Sequence, residues 1–126
     1  MKYYLLAALA LSATSCLDVG PDTCNTTLLT PVTSASGPKT IAVNQPATYT
    51  LNYTPANGCG TLANLTEQVS GSTRAVGVNV NYTGCSCSTL ATSAQTTYTF
   101  QPTQAGTYYL RFVGNSSYII DTLVAQ

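Results

Sequence analysis

From Thr40 onward apolar and polar residues alternate with a period of two. Ala47, Tyr49, Leu51 and Tyr53 are separated by Thr48, Thr50 and Asn52, and Val76, Val78, Val80 and Tyr82 by Gly77, Asn79 and Asn81. Tyr98 and Phe100 stand between Thr97, Thr99 and Gln101, and Tyr108, Leu110 and Phe112 alternate with Tyr109 and Arg111. Side chains of a strand point alternately to its two faces, so each run predicts a strand with one buried face. Thr40 to Val43 adds a short strand. Leu28 to Thr33 reads as an irregular edge strand, because Pro31 is tolerated only where no ladder hydrogen bond is lost. Ser117 to Ala125 is apolar at too many adjacent positions to assign a register. Turn signals punctuate the runs: Asn44-Gln45-Pro46, Pro55-Ala56-Asn57-Gly58, Ser70-Gly71-Ser72, Thr83-Gly84, Gln101-Pro102, Ala105-Gly106 and Gly114-Asn115-Ser116. No stretch has helical periodicity. Many short strands with turns between them indicate an all-β antiparallel sandwich, here of about seven strands.

The first residues, MKYYLLAALALSATSC, follow a different rule. Lys2 precedes an apolar stretch from Leu5 to Leu11, and the small residues Ser12 to Ser15 lead to Cys16. This is the three-part layout of a secretory signal, and its apolar run is too short to span a bilayer. The segment resembles a bacterial lipoprotein signal peptide of the relaxed Bacteroidota-like type, with Ala13 where leucine is common. The resemblance implies residues 1–15 as signal peptide, Cys16 as the lipid-bearing first mature residue, and a membrane as partner through that anchor. The expected location is the cell envelope, as an outer-membrane lipoprotein. The alternative is an ordinary signal cleaved near Ala13 or Ser15, a secreted protein, and Cys16 left for a disulfide.

Five cysteines in an exported chain leave one over. Acylation of Cys16 leaves Cys24, Cys59, Cys85 and Cys87, an even set suited to an oxidising compartment. Alternate residues of an extended segment lie roughly 6.6 Å apart, whereas a bridge prefers about 4.4–6.8 Å with converging Cβ vectors, which disfavours a Cys85–Cys87 bridge. Cys59 is therefore expected to pair with one member of Cys85-Ser86-Cys87, and Cys24 with the other. The scattered spacings do not match zinc knuckles, so no metal is expected. Residues 16–38, with Pro21, Pro31 and Pro38, read as a lipid-anchored tether with a first edge strand at its end. Residues 39–126 read as one domain.

Within that domain Gln104-Ala105-Gly106-Thr107-Tyr108-Tyr109-Leu110 resembles the end of an immunoglobulin-like domain, where a small-residue turn leads to a corner tyrosine. The resemblance places Tyr108 where a hydroxyl returns to the upstream backbone. It places Leu110 and Leu51 at the positions of the two core cysteines of antibody domains. With neither that disulfide nor the core Trp, apolar side chains are expected to fill the space between the sheets, with disulfides at the periphery.

Composition narrows the chemistry. Only 6% of the 126 residues are charged, four basic against four acidic, and there is no His. Zero net charge supplies no electrostatic footprint for nucleic acid. The commonest general base and metal ligand is missing. No phosphate-cradling glycine loop and no nucleophile elbow occurs. Asp18 and Asp22 lie in the tether, which leaves Glu67 and Asp121 as the one carboxylate pair available to a small hydrolase. Glu67 shares a face with Leu65 and Val69, and an inward charge on an edge strand guards against edge-to-edge aggregation, which is the preferred reading. No catalytic residue and no cofactor is expected.

What remains is a surface of hydroxyls, amides and a few tyrosines. Tyr49, Tyr53, Tyr82, Tyr98 and Tyr108 fall on inward faces, leaving Tyr109 and Tyr118 for the surface. The expected function is non-enzymatic, a structural or protein-interaction role with a protein partner in the envelope; the alternative is a carbohydrate-binding module. Asn25, Asn52, Asn64, Asn81 and Asn115 begin Asn-x-Ser/Thr triplets, as a Thr- and Asn-rich composition produces by chance. Asp121-Thr122-Leu123 resembles the acceptor triplet of Bacteroidota O-glycosylation, with Thr122 as the acceptor.

Overall fold

Two β-sheets pack face to face in the computed structural model, which describes residues 24–126. The expected signal segment, Cys16 and the expected tether from Leu17 to Thr23 lie outside the described residues. Nine strands follow in order: β1 (Asn25–Thr30), β2 (Val32–Ser36), β3 (Thr40–Ile41), β4 (Ala47–Tyr53), β5 (Gly60–Ser70), β6 (Thr73–Thr83), β7 (Ala94–Phe100), β8 (Gly106–Val113) and β9 (Tyr118–Ala125). No helix interrupts them among the described residues. The fold is an all-β sandwich compatible with the immunoglobulin-like architecture, with nine strands rather than about seven.

The smaller sheet has the order β2-β4-β7, all antiparallel. The larger is organised around β6, whose eleven residues pair along one edge with β5. Its other edge is shared. Val78 to Thr83 pair with β1, and Thr73 to Val76 with β8 in parallel. β9 then pairs antiparallel with β8, and β3 closes the sheet in parallel against Val124 and Ala125. The β6–β8 pairing is parallel because the chain leaves β6, crosses to the other sheet as β7 and comes back in the same direction.

Two corrections concern boundaries. The single edge strand expected at 28–33 is two strands, and Pro31 stands at the switch. β1 pairs in the larger sheet and β2 in the smaller, so the missing proline N–H falls where the chain leaves one ladder for the other. The sandwich accordingly begins near Cys24 rather than at residue 39. The β5–β6 hairpin is closed by Gly71-Ser72, with Ser70 opposite Thr73. Gly71 has φ +59°, and glycine at the first central position suits the II′ turn, whose twist matches that of the strands.

The period-two residues form the core as their spacing predicts. Tyr49, Leu51, Val76, Val78, Val80, Leu110, Phe112 and Leu123 are completely buried. Leu51 on β4 and Leu110 on β8 are among them, so apolar side chains fill the space between the sheets. Several aromatic rings pack together in this core: Phe112 lies 5.9 Å from Tyr49 and 6.0 Å from Tyr98, and Phe100 lies 4.9 Å from Tyr108. Three tyrosine hydroxyls find backbone partners. Tyr49 donates to the Pro38 carbonyl at 2.7 Å and Tyr108 to the Gln104 carbonyl at 2.8 Å, while Tyr82 accepts from the Ala56 N–H at 2.8 Å. The Tyr108 bond is the corner contact expected from the immunoglobulin resemblance.

Candidate functional site

Both disulfides sit at one end of the sandwich. Cys24, just before β1, is joined to Cys85, and Cys59, just before β5, to Cys87, with Cα separations of 5.0 and 5.5 Å. The four cysteines are paired in the manner the spacing allows, Cys85 and Cys87 going to different partners. The bridges tie the 54–59 and 84–93 loops to the start of the domain. Backbone bonds add to this, Gly58 N–H to Ser88 O at 2.8 Å and Gly84 N–H to Cys24 O at 3.0 Å. On the 84–93 loop Leu90 stands 81% exposed.

Glu67 and Asp121 are not brought together. β5 is the edge of the larger sheet, and β6 and β8 lie between it and β9. Three inter-strand steps of about 4.8 Å hold the two backbones about 14 Å apart. A glycosidase pair would stand at about 5–9.5 Å. Each carboxylate is engaged locally. Glu67 lies level with Val76 on the inner face and accepts from the Tyr98 hydroxyl at 2.7 Å, across the two sheet edges. Arg74 Nε is 3.8 Å from Glu67, and its guanidinium lies over the Phe100 ring at 5.1 Å. Burial, followed by the hydrogen bond and charge of Glu67, pushes the Tyr98 phenol well above the usual tyrosine range. Leu65 packs against the core beside Glu67, but Val69 is exposed, because eleven-residue β5 outruns the seven-residue strands of the smaller sheet. Asp121 is buried on the inner face of β9 and ion-paired with Lys39, which precedes β3.

The outer face of the larger sheet carries an apolar strip that hydrophobic alternation does not announce. Gly77 and Ala75 on β6 leave a shallow depression of about 370 Å³, bounded by Leu29, Val113, Tyr118, Thr66 and Gln68. Leu29 lies directly over Gly77: a Cβ there would come within 2.7 Å of Leu29 Cδ1 and 3.8 Å of Val113 Cγ2. Ile120, two residues beyond Tyr118 on the same face, continues the strip opposite Arg111. Leu29, Tyr118 and Ile120 are 54%, 49% and 57% exposed. Asn64 and Asn79, hydrogen-bonded at 2.8 Å, border it on the β5 side. The reason for the uncertain register of 117–125 is now visible: β9 is apolar on both faces, Leu123 and Ala125 inward, Tyr118, Ile120 and Val124 outward.

The tyrosines divide as their alternation predicts, with Tyr109 and Tyr118 exposed. Tyr109 is opposite Thr122 and Tyr118 opposite Val113, about 14 Å apart along the strands, so the two rings form no adjacent stacking pair. Thr122 is exposed on the outer face, between the inward-facing Asp121 and Leu123. No protein-family model, no curated protein and no solved structure matches this chain.

Proposed function

We propose that the protein is a lipid-anchored, non-enzymatic component of a bacterial cell envelope whose immunoglobulin-like sandwich docks another protein. The observation that carries the docking role is the outer strip of Leu29, Val113, Tyr118 and Ile120. An apolar centre with a tyrosine, bordered by amides and an arginine, is the composition of a protein interface rather than of an ordinary solvent face. Gly77 and Ala75 shape it, since larger residues there would fill the depression a partner side chain enters. Two disulfides support export to an oxidising compartment. The anchor rests on Cys16 and its preceding segment.

Acyl labelling of the wild type against Cys16→Ala tests the anchor, and equal labelling of both refutes it. For docking, the mature protein is immobilised and challenged with envelope extract beside Tyr118→Ser/Ile120→Ser. The expected result is a partner held by the wild type and by a Ser36→Ala control, and lost with the double variant. Retention by the double variant, glycan-array binding that disappears with Tyr109→Ala, or a turnover abolished by Glu67→Gln each points to a different function.

A further inference from the structure

The charges of this small domain are segregated along its length. Five described residues are charged: Lys39, Glu67, Arg74, Arg111 and Asp121. Glu67 is level with Val76 of β6, Arg111 with Ala75, and Asp121 with Leu110 and hence with Arg74 itself. Lys39 lies further down, its carbonyl accepting the Val124 N–H at 2.9 Å. Above Val76, β6 continues for seven more residues, Gly77 to Thr83, a rise of about 24 Å. Its neighbours there are β1, the start of β5 and the two disulfide-tied loops, and none of these carries a charge.

That uncharged end is where leucines reach solvent. Leu28 and Leu62 flank Val80 in one row across β1, β6 and β5, 49% and 43% exposed where the smaller sheet does not cover them. Leu90 stands out from the 84–93 loop, its carbonyl 3.7 Å from the position a Cβ on Gly58 would take. Leu28 also lines a recess of about 280 Å³ with Tyr82, Ala56 and Cys24. The same end is where the chain enters the domain, and the Cys24–Cys85 bridge pins that entry point.

We infer that this end seats on the surface of the bilayer that holds the anchor, with Leu28, Leu62 and Leu90 entering the headgroup region. The inference rests on the lipid-anchor reading of Cys16. From Cys16 to Cys24 is eight residues, at most about 28 Å of extended chain, so the Cys24 end stays close to the lipid whatever path the tether takes. Leucines at a lipid–water boundary gain by burying apolar surface, and the lack of charged groups on these strands and loops removes the cost of desolvating them there. Seated this way, the sandwich stands with its charged end outward and its apolar outer strip free along its side. The seated side chains are apolar, so on an uncharged phosphatidylcholine surface the attachment is insensitive to salt, while Asp18 and Asp22 of the tether make anionic lipid less favourable rather than more.

The chain contains no Trp, so one can be introduced as a single fluorescent reporter. Leu90→Trp and, at the opposite end, Ala105→Trp are prepared as the acylated full-length protein in phosphatidylcholine vesicles with and without brominated chains. Intact mass first establishes the acyl group on Cys16. The expected result is blue-shifted emission from Leu90→Trp that brominated lipid quenches, unquenched emission from Ala105→Trp, and no change between about 50 and 500 mM salt. Adding Leu28→Ser/Leu62→Ser is expected to reduce the quenching of the Leu90→Trp reporter, and to weaken vesicle binding of the unacylated domain by about tenfold. An acylated Leu90→Trp protein quenched no more than its Ala105→Trp counterpart overturns the seating and leaves the anchor standing. Absence of the acyl mass overturns the anchor, and the seating with it. Quenching lost at high salt shows an electrostatic contact, and a protein captured by this end and released by Leu28→Ser/Leu62→Ser shows a protein docking face; either overturns the seating.

Discussion

Removing the Cys24–Cys85 bridge probes both the stability of the domain and the fixed entry of its chain. The bridge spans 61 residues. With Cys59–Cys87 intact, the shorter covalent path runs from Cys24 to Cys59 and back from Cys87 to Cys85, about 37 residues. Closing a loop of that size removes entropy from the unfolded chain corresponding to about 4 kcal/mol at 25 °C, and measured bridges deliver about 2–4 kcal/mol. The 28-residue Cys59–Cys87 loop gives nearly the same figure. A domain of this length unfolds with an entropy of roughly 0.2 kcal/mol/K, so each kcal/mol corresponds to about 5 °C in Tm. Cys24→Ser/Cys85→Ser is therefore expected to melt about 10–20 °C below the parent. The fully reduced protein, lacking both constraints, is expected to be marginal at 37 °C. Thermal melts by circular dichroism, after a thiol count has verified the bridges, measure both. A reduced form melting within about 5 °C of the oxidised one refutes the reasoning, since the sandwich would then hold its ends without covalent help.

Three further outcomes follow from individual contacts. Burial holds the Tyr49 and Tyr98 phenols above the usual range near pH 10, and the Glu67 hydrogen bond adds to the effect at Tyr98. The folded state therefore keeps protons that the unfolded chain releases, so stability present below about pH 10 declines as pH rises beyond it; urea midpoints from pH 8 to 11 test the decline, which Tyr98→Phe is expected to reduce. Lys39→Met leaves Asp121 buried without its ion-pair partner and is expected to cost about 1–3 kcal/mol, discounted because the lysine is largely exposed. Lys39→Met/Asp121→Leu is expected to recover most of that loss, and a double variant weaker than the single one contradicts this account. Tyr108→Phe keeps the ring against Phe100 but gives up the bond to Gln104, an expected loss of about 1 kcal/mol in urea denaturation.

Where one face of a strand is buried and the other wet, the amino-acid order announces both strand and register. β4, β6, β7 and β8 were legible for that reason, and so was the division of the tyrosines. The signal weakens where a strand has another role. β5 is an edge with a bulge between Leu62 and Asn64 and is mostly solvated, so only its Leu65 and Glu67 hinted at an inner face. β9 is apolar on both faces because its outer one belongs to the strip with Leu29 and Val113. That strip draws on three regions of the chain far apart in sequence, β1, β6 and the β8–β9 hairpin. No local pattern could assemble it. Glu67 and Asp121 show the reverse case: composition left them as the only pair, and three inter-strand steps keep them apart.

By itself, the sequence determined the class of this protein: a nearly uncharged β-sandwich with a corner tyrosine and four cysteines that bridge in pairs. These follow from side-chain alternation, turn chemistry and cysteine spacing, all of which act over a few residues. Tertiary structure decided which cysteine joins which, that Pro31 switches sheets, that β6 and β8 run parallel, and that exposed leucines gather at one uncharged end. Those outcomes depend on strands distant in the chain becoming neighbours about 4.8 Å apart. The cost of closing such long loops is met by the whole core, and no short segment encodes it.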